Sequence, residues 1–359
     1  MRRYERFLSA MARRQPDRVP LFDFLFQQPM YEALTGRRPD SYNGPDAVRC
    51  ALALDHDGVW LPFGGFSGYK PEVLGEGVYR DEWGTVFKKT VSSWPIDAPI
   101  GYPIKSAEDV SAYRPPDPAL PGRDAEILAA RAINSDGLAL LGGVCGPFTT
   151  AWMLMGYETL CFALLENPSA LTTIFRMSNE FAKEAARRSV AAGCCGIWVS
   201  DDLGSSTGGF LSVPHFREYV LPALAELVEH IDRLGVPVLL HSCGCIRDYL
   251  PDLAKTKIAA IHPLQRTAGM DLAEVKRAYG SRFCIIGNID SSRTLPYGSP
   301  EDVAAEVRAA IDIAAPGGGY VLASDHSLHD GIPVENIKTM FKTGAEYGRS
   351  IYENKESTP

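Results

Sequence analysis

No apolar run in the sequence approaches the roughly 18 to 20 residues that cross a bilayer. The opening stretch MRRYERFLSAMARRQPDR breaks its short apolar core with Arg and Glu, so it reads neither as a membrane anchor nor as a secretory leader. Positive charge is in deficit. The chain has 36 Lys and Arg against 44 Asp and Glu, a formal charge of −8, which argues against nucleic acid as a partner. Cys-x-x-Cys pairs, zincin motifs and dinucleotide fingerprints are absent, and metalloproteases and Rossmann dehydrogenases lose support accordingly. Eight cysteines in a 359-residue chain without an export signal make a disulfide framework improbable and a reducing, cytoplasmic setting the expectation.

What is present is an ordinary globular composition, 45% apolar and 22% charged, able to bury a sizeable core. Short β-type runs recur at Val19 to Phe26, Gly58 to Pro62, Leu138 to Val144, Ile197 to Val199, Val236 to His241, Ile258 to Ile261, Phe283 to Ile286 and Tyr320 to Ala323. Amphipathic stretches of helical length separate most of them. Eight strands alternating with helices predict an α/β fold, a (β/α)8 TIM-type barrel formed by residues 1–359 as a single domain. Ser299-Pro300-Glu301-Asp302 opens one helix with a Ser cap, and Pro316-Gly317-Gly318-Gly319 stops it. Gly, Pro and aromatics dominate Phe63 to Pro121, where GVYRDEWGTVFKKTV reads as a hairpin. This region is expected as an excursion between strands two and three.

In such a barrel the residues just past each strand converge on one mouth. Here they are Asp23, Cys145, Asp201 and Asp202, His241 and Cys243, His262 and Gln265, Asn288 and Asp290, and Asp325 and His326. The strand interiors, such as VPVLL and CII, are almost purely apolar, and that contrast points to an enzyme.

The strongest local feature is His241-Ser242-Cys243-Gly244-Cys245 at the end of VPVLL. Residues i and i+2 of a strand share a face, so His241 and Cys243 aim into the mouth together. Imidazole plus thiolate suits zinc, with a third ligand drawn from His326, Cys245, Asp201 or Asp202. From spacing alone, packing cysteines and a hydrogen-bonded core histidine remain the alternative. Asp201, Asp202 and His326 are the candidate acid–base groups.

Five segments together carry a family likeness: GPFTTAWMLMGYE (Gly146 to Glu158), VSDDLGSSTGGFLSVPHFREYVLP (Val199 to Pro222), PVLLHSCGCIRDYLPDL (Pro237 to Leu253), CIIGNID (Cys284 to Asp290) and APGGGYVLASDHSLHDGIPVENI (Ala315 to Ile337). With them the chain resembles the uroporphyrinogen decarboxylase superfamily, whose members include cobalamin-dependent methyltransferases. The decarboxylases bind their octacarboxylate substrate through an arginine-bearing segment after strand one. Asp23-Phe24-Leu25-Phe26-Gln27-Gln28-Pro29 has no arginine there, so the methyltransferase branch looks closer.

That branch holds zinc with a His-x-Cys pair, which His241-x-Cys243 matches, and with a later Cys, where this chain offers His326. The resemblance therefore implies zinc on His241, Cys243 and His326, and a corrinoid supplied by a separate corrinoid protein, since no Asp-x-His-x-x-Gly motif occurs. The superfamily also contains dimers. Aromatic residues at the mouth, Phe24, Phe26, Trp60, Phe63, Phe66 and Trp152, suit a small methoxylated aromatic. O-demethylation with methyl transfer to cobalamin is the leaning, and Asp23, Phe26, Trp152, Gln265, Asn288 and Asp290 are the candidate substrate-binding residues. Thiol methylation from methylcobamide and decarboxylation of a small acid are the competing activities.

Overall fold

A computed structural model describes residues 1–90 and 94–353. Its central sheet has seven strands, all parallel: β1 (Gly58–Pro62), β6 (Ala139–Cys145), β7 (Gly196–Ser200), β8 (Val238–His241), β9 (Ile258–His262), β10 (Cys284–Ile289) and β11 (Tyr320–Ser324), adjacent in that order. Four further strands, β2 (Glu72–Gly75), β3 (Val78–Arg80), β4 (Val86–Lys88) and β5 (Ala98–Gly101), form a separate antiparallel sheet. Helix follows each central strand from β6 on, whereas the antiparallel sheet follows β1, and the central sheet curls as in a TIM-type barrel. Covered on both faces, such strands must be apolar nearly throughout; every residue of β10 and β11 is buried.

Where the sequence predicts a first barrel strand, Val19 to Phe26, the described chain has only isolated bridges, Leu21 to Leu322 and Leu25 to Leu328. The reason is chemical. Pro20 has no N–H to give a ladder, and the Phe26 N–H turns back to the Phe24 carbonyl at 3.0 Å. The Asp23 carboxylate, not the main chain, accepts the Ser324 N–H at 2.7 Å. The segment still lies between the two edges of the sheet. On the β11 side the Phe22 N–H donates to the Leu322 carbonyl at 3.1 Å and the Leu322 N–H to the Pro20 carbonyl at 2.9 Å, and the Asp57 N–H donates to the Leu21 carbonyl at 2.8 Å beside β1. Asp57 itself is buried, paired with Arg6 at 2.6 Å and Arg18 at 3.1 Å.

Between β1 and β6 the chain makes the antiparallel sheet, in which Tyr79 of β3 faces Phe87 of β4 with their rings stacked at 5.5 Å. The Asp81 carboxylate closes the turn by accepting the N–H groups of Trp83 and Thr85 at 3.0 and 2.9 Å. Helix Pro300–Ala314 starts at a capping box, Ser299 and Asp302 each bonding the other's N–H. Gly318 at its end has φ +80°, and a Cβ there would stand 2.5 Å from the Arg14 backbone.

Helix Pro147–Glu166 reaches the length and apolarity of a membrane span, although its sequence does not read as an unbroken apolar run. It is bent by Gly156 (φ 73°, ψ 160°), and 56% of its most apolar window is buried in the molecule.

Candidate metal centre

Strand register builds the site. Ser200 of β7, His241 of β8 and His262 of β9 are successive partners at the C-terminal rim of the sheet. One residue past β7 the chain keeps in step, the Asp201 N–H donating to the His241 carbonyl at 2.9 Å, and one past β8 the Ser242 N–H donates to the His262 carbonyl at 3.0 Å. Side chains of three neighbouring strand ends therefore meet.

Asp202, His241 and Cys243 form a group whose ligand-type atoms all lie within 4.8 Å of one another. His241 Nε2 is 3.2 Å from Cys243 Sγ and 3.5 Å from Asp202 Oδ1. Asp202 Oδ1 also accepts the Cys243 N–H at 3.0 Å, while the Asp202 N–H donates to Thr149 Oγ1 at 2.8 Å. Behind Cys243 the loop is held by a close approach: a Cβ on Gly244, at φ +77°, would overlap the Gly204 carbonyl. The Gly244 N–H donates to Gln265 Oε1 at 2.8 Å.

Burial dominates the electrostatics. It pushes His241 down to about 4, against the opposing pull of Asp202, so the imidazole is neutral at pH 7. Burial, reinforced by the Asp202 charge, drives the Cys243 thiol well above its ordinary value. A cation between them reverses that logic, because a coordinating thiol is deprotonated by its metal.

The remaining expected site residues divide clearly. His326 stands outside the three-donor group, half-buried, with Nδ1 at 2.9 Å from Ser327 Oγ; burial lowers its basicity while Asp202 and Asp325 raise it, so it senses the same mouth. Asp201 is fully buried, accepts the Thr149 N–H at 2.7 Å on Oδ1, and is pushed up to about 7 by burial. Its Oδ2 has no partner among the described residues.

Asp23, Gln265, Asn288 and Asp290 direct polar atoms at loop backbone. Asn288 Nδ2 donates to the Leu264 carbonyl at 3.1 Å, and Asp290 Oδ1 accepts the N–H groups of Ser292 and Arg293, both at 2.8 Å. Phe26 stacks on Phe24 at 5.1 Å and meets Trp60, Phe66 and Tyr42 edge-on, while Phe24 lies 5.3 Å from both His241 and His262. Trp152 belongs to a second stack with Tyr157 at 4.9 Å, continued by Phe210 at 4.8 Å. Phe63 packs instead against Phe181 and the Arg188 guanidinium.

Sequence reasoning placed His262 at the mouth without giving it a role, and passed over Tyr157. His262 contacts His241 directly, and the signal for it was available in two successive strands that each end in His, VLLH and IAAIH. Tyr157 stacks on Trp152, and burial, reinforced by the Asp202 charge, raises its hydroxyl above the ordinary value; nothing in its spacing marks it. Gly204 to Gly208 spells Gly-x-Ser-x-Gly, yet Ser206 is exposed in a loop closed by the Ser205 N–H on the Gly208 carbonyl, not on a nucleophile elbow.

A fold of parallel strands with a ligand-type cluster on its C-terminal rim is the architecture of many barrel enzymes. A family model described as Uroporphyrinogen decarboxylase (URO-D) matches residues 97–347, and the chain belongs to that family. A uroporphyrinogen decarboxylase from Anaeromyxobacter dehalogenans (strain 2CP-C) is 28% identical over 256 residues, covering 69% of this chain and 71% of that protein. A methylcobamide:CoM methyltransferase, MtaA, from Methanosarcina barkeri is 27% identical over 208 residues, 58% of each chain. Among solved structures, a methyltransferase from Methanosarcina mazei shares the fold, with a TM-score of 0.76 at 22% identity over 97% of this chain and 99% of that one.

Proposed function

We propose that the protein is a zinc-dependent methyltransferase that exchanges a methyl group between a small substrate and the cobalamin of a separate corrinoid protein. The observation that carries this reading is the Asp202–His241–Cys243 group. A tetrahedral zinc with bonds of about 2.0 to 2.3 Å spaces its ligand atoms roughly 3.3 to 3.8 Å apart. The nitrogen–sulfur and nitrogen–oxygen separations here are 3.2 and 3.5 Å, close to that spacing, and the sulfur–oxygen separation lies within 4.8 Å. Asp202 takes the third position, which spacing left open among His326, Cys245, Asp201 and Asp202 and the family resemblance gave to His326.

Bound zinc supplies Lewis acidity toward a substrate oxygen or sulfur at its open fourth position. The chain's own residues do the rest. His241, neutral by burial, offers Nε2, and the loop at Gly244 holds Cys243 beside it. His326, with Nδ1 at Ser327 Oγ, presents Nε2 to a ligand and can donate a hydrogen bond to a leaving oxygen. Phe24, Phe26, Trp60 and Phe66 make an apolar wall that excludes water and suits a flat substrate. This wall supports a methoxylated aromatic as methyl donor.

Methyl transfer to a thiol is the second reading, favoured by the match to a methylcobamide:CoM methyltransferase. Decarboxylation of a small acid draws less support, because the charges that reinforce burial at Cys145, Cys243 and Asp201 are those of carboxylates, which repel an anionic substrate. Elemental analysis is the first test: about one zinc per chain is expected, lost in Cys243→Ser and Asp202→Asn. Methoxylated aromatics are then offered with cob(I)alamin and thiols with methylcobalamin, and the corrinoid spectrum is followed. Absence of zinc in the wild-type protein, with no spectral change in either direction, overturns the reading.

A further inference from the structure

His262 ends β9 as His241 ends β8, and their rings stack with centroids 5.0 Å apart. The two Nδ1 atoms are separated by 2.7 Å. A nitrogen–nitrogen hydrogen bond between neutral imidazoles contains one proton, so one ring donates and the other accepts. If His241 donates, its Nε2 has a free lone pair facing Cys243 Sγ and Asp202 Oδ1, and His262 keeps its own proton on Nε2. If His262 donates, His241 bears its proton on Nε2, pointing into the donor group, and cannot bind a cation. Only the first arrangement is competent for metal.

The surroundings of His262 leave its ring one directional contact. Its Nε2 is buried with no hydrogen-bond partner among the described residues, and Phe22, Phe24 and Trp198 enclose the ring at 6.5, 5.3 and 5.1 Å. On the zinc reading above, we propose that His262 is a positioning residue: it accepts the Nδ1–H of His241 and fixes that ring in the tautomer whose Nε2 joins Asp202 and Cys243 on a divalent cation. Metal-bound histidines commonly donate this proton to a carboxylate, a carbonyl or water. A neutral acceptor fits a buried site here. The Asp202 carboxylate and a Cys243 thiolate already balance a 2+ ion, and a carboxylate in place of His262 would be a third anion that leaves net negative charge in a buried site.

The test uses the full chain as wild type, His262→Phe and His262→Asn, with zinc affinity read by competition against a chromophoric chelator and the melting temperature of each metal-free protein alongside. Phe keeps the ring stack and deletes the acceptor; Asn restores an acceptor near the Nδ1 position. We expect zinc affinity to fall about 10- to 100-fold in His262→Phe, most of the loss to be recovered in His262→Asn, and the melting temperatures to stay close. Equal affinity in wild type and His262→Phe overturns the proposal, and so does an equal loss in both variants, which would make the role one of packing. Should His262→Phe fail to fold, histidine 15N NMR of the wild type decides: protons on His241 Nδ1 and His262 Nε2 support the assignment, and the opposite pair overturns it. A wild type that binds no zinc removes both this role and the function reading, whereas zinc binding indifferent to His262 removes only this role.

Discussion

Asp23 gives the sharpest quantitative expectation. It is fully buried where the segment before β1 meets β11, and burial outweighs its hydrogen bonds to push its carboxyl up to about 7. Both oxygens face backbone donors: Oδ1 accepts the Phe24 N–H at 2.9 Å and Oδ2 the Ser324 N–H at 2.7 Å, with Ser324 Oγ at 2.9 Å from Oδ1. Below the unfolded value of 3.8 the group is protonated in both states and contributes nothing. Between 3.8 and 7 the unfolded chain ionises while the folded one keeps its proton, so stability falls as pH rises; above 7 the loss is complete. The displacement from 3.8 to about 7 corresponds to roughly 4 kcal/mol, about 2 of it between pH 5 and 7. Asp23→Asn removes this pH dependence. Whichever way the amide turns, its NH2 meets a backbone N–H, which costs about 1–3 kcal/mol at every pH. Urea unfolding of both proteins from pH 5 to 8.5 should therefore show the variant gaining about 2 kcal/mol on the wild type up to pH 7 and levelling off by about pH 8. A difference that stays flat across the whole range refutes the argument.

Two glycines test the geometry of the metal group. In Gly146→Ala the new methyl overlaps the Asp201 carboxyl, and a loss of about 1–3 kcal/mol is expected from overpacking, measured by urea unfolding at pH 8 where Asp201 is ionised. Gly244→Ala combines a φ of +77° with a clash on the Gly204 backbone; the Cys243 loop must move, and zinc content after dialysis should drop with little change in helical circular dichroism.

The alternation of apolar runs and helices was legible because burial on both faces leaves a parallel strand no polar positions, and β1, β6 to β11 lie where those runs are. The run VPLFDFLF shows the limit of that signal. Its residues are as apolar and β-prone as any strand, yet Pro20 and the Asp23 side chain replace ladder bonds that composition does not reveal. The hairpin of β3 and β4 was readable from local chemistry, an Asp-anchored turn between Tyr79 and Phe87. Its pairing with β2 and β5 depends on contacts distant along the chain.

The site divides in the same way. His241 and Cys243 were found because two residues on one strand end share a direction, which is a property of spacing. The partner of that pair is a property of register. Asp202 reaches them because β7 and β8 align Ser200 with His241 and the next residues remain in step, so that the Cys243 N–H meets the Asp202 carboxylate. His326 comes from β11, which is not a neighbour of β8 in the sheet, and spacing alone cannot rank it against an acid on the adjacent strand. Register also brings His262 onto His241. A donor group drawn from the ends of β7 and β8, with a histidine of β9 behind it, leaves His326, just past β11, outside the group, and the proposed function gives it the substrate's side of the centre.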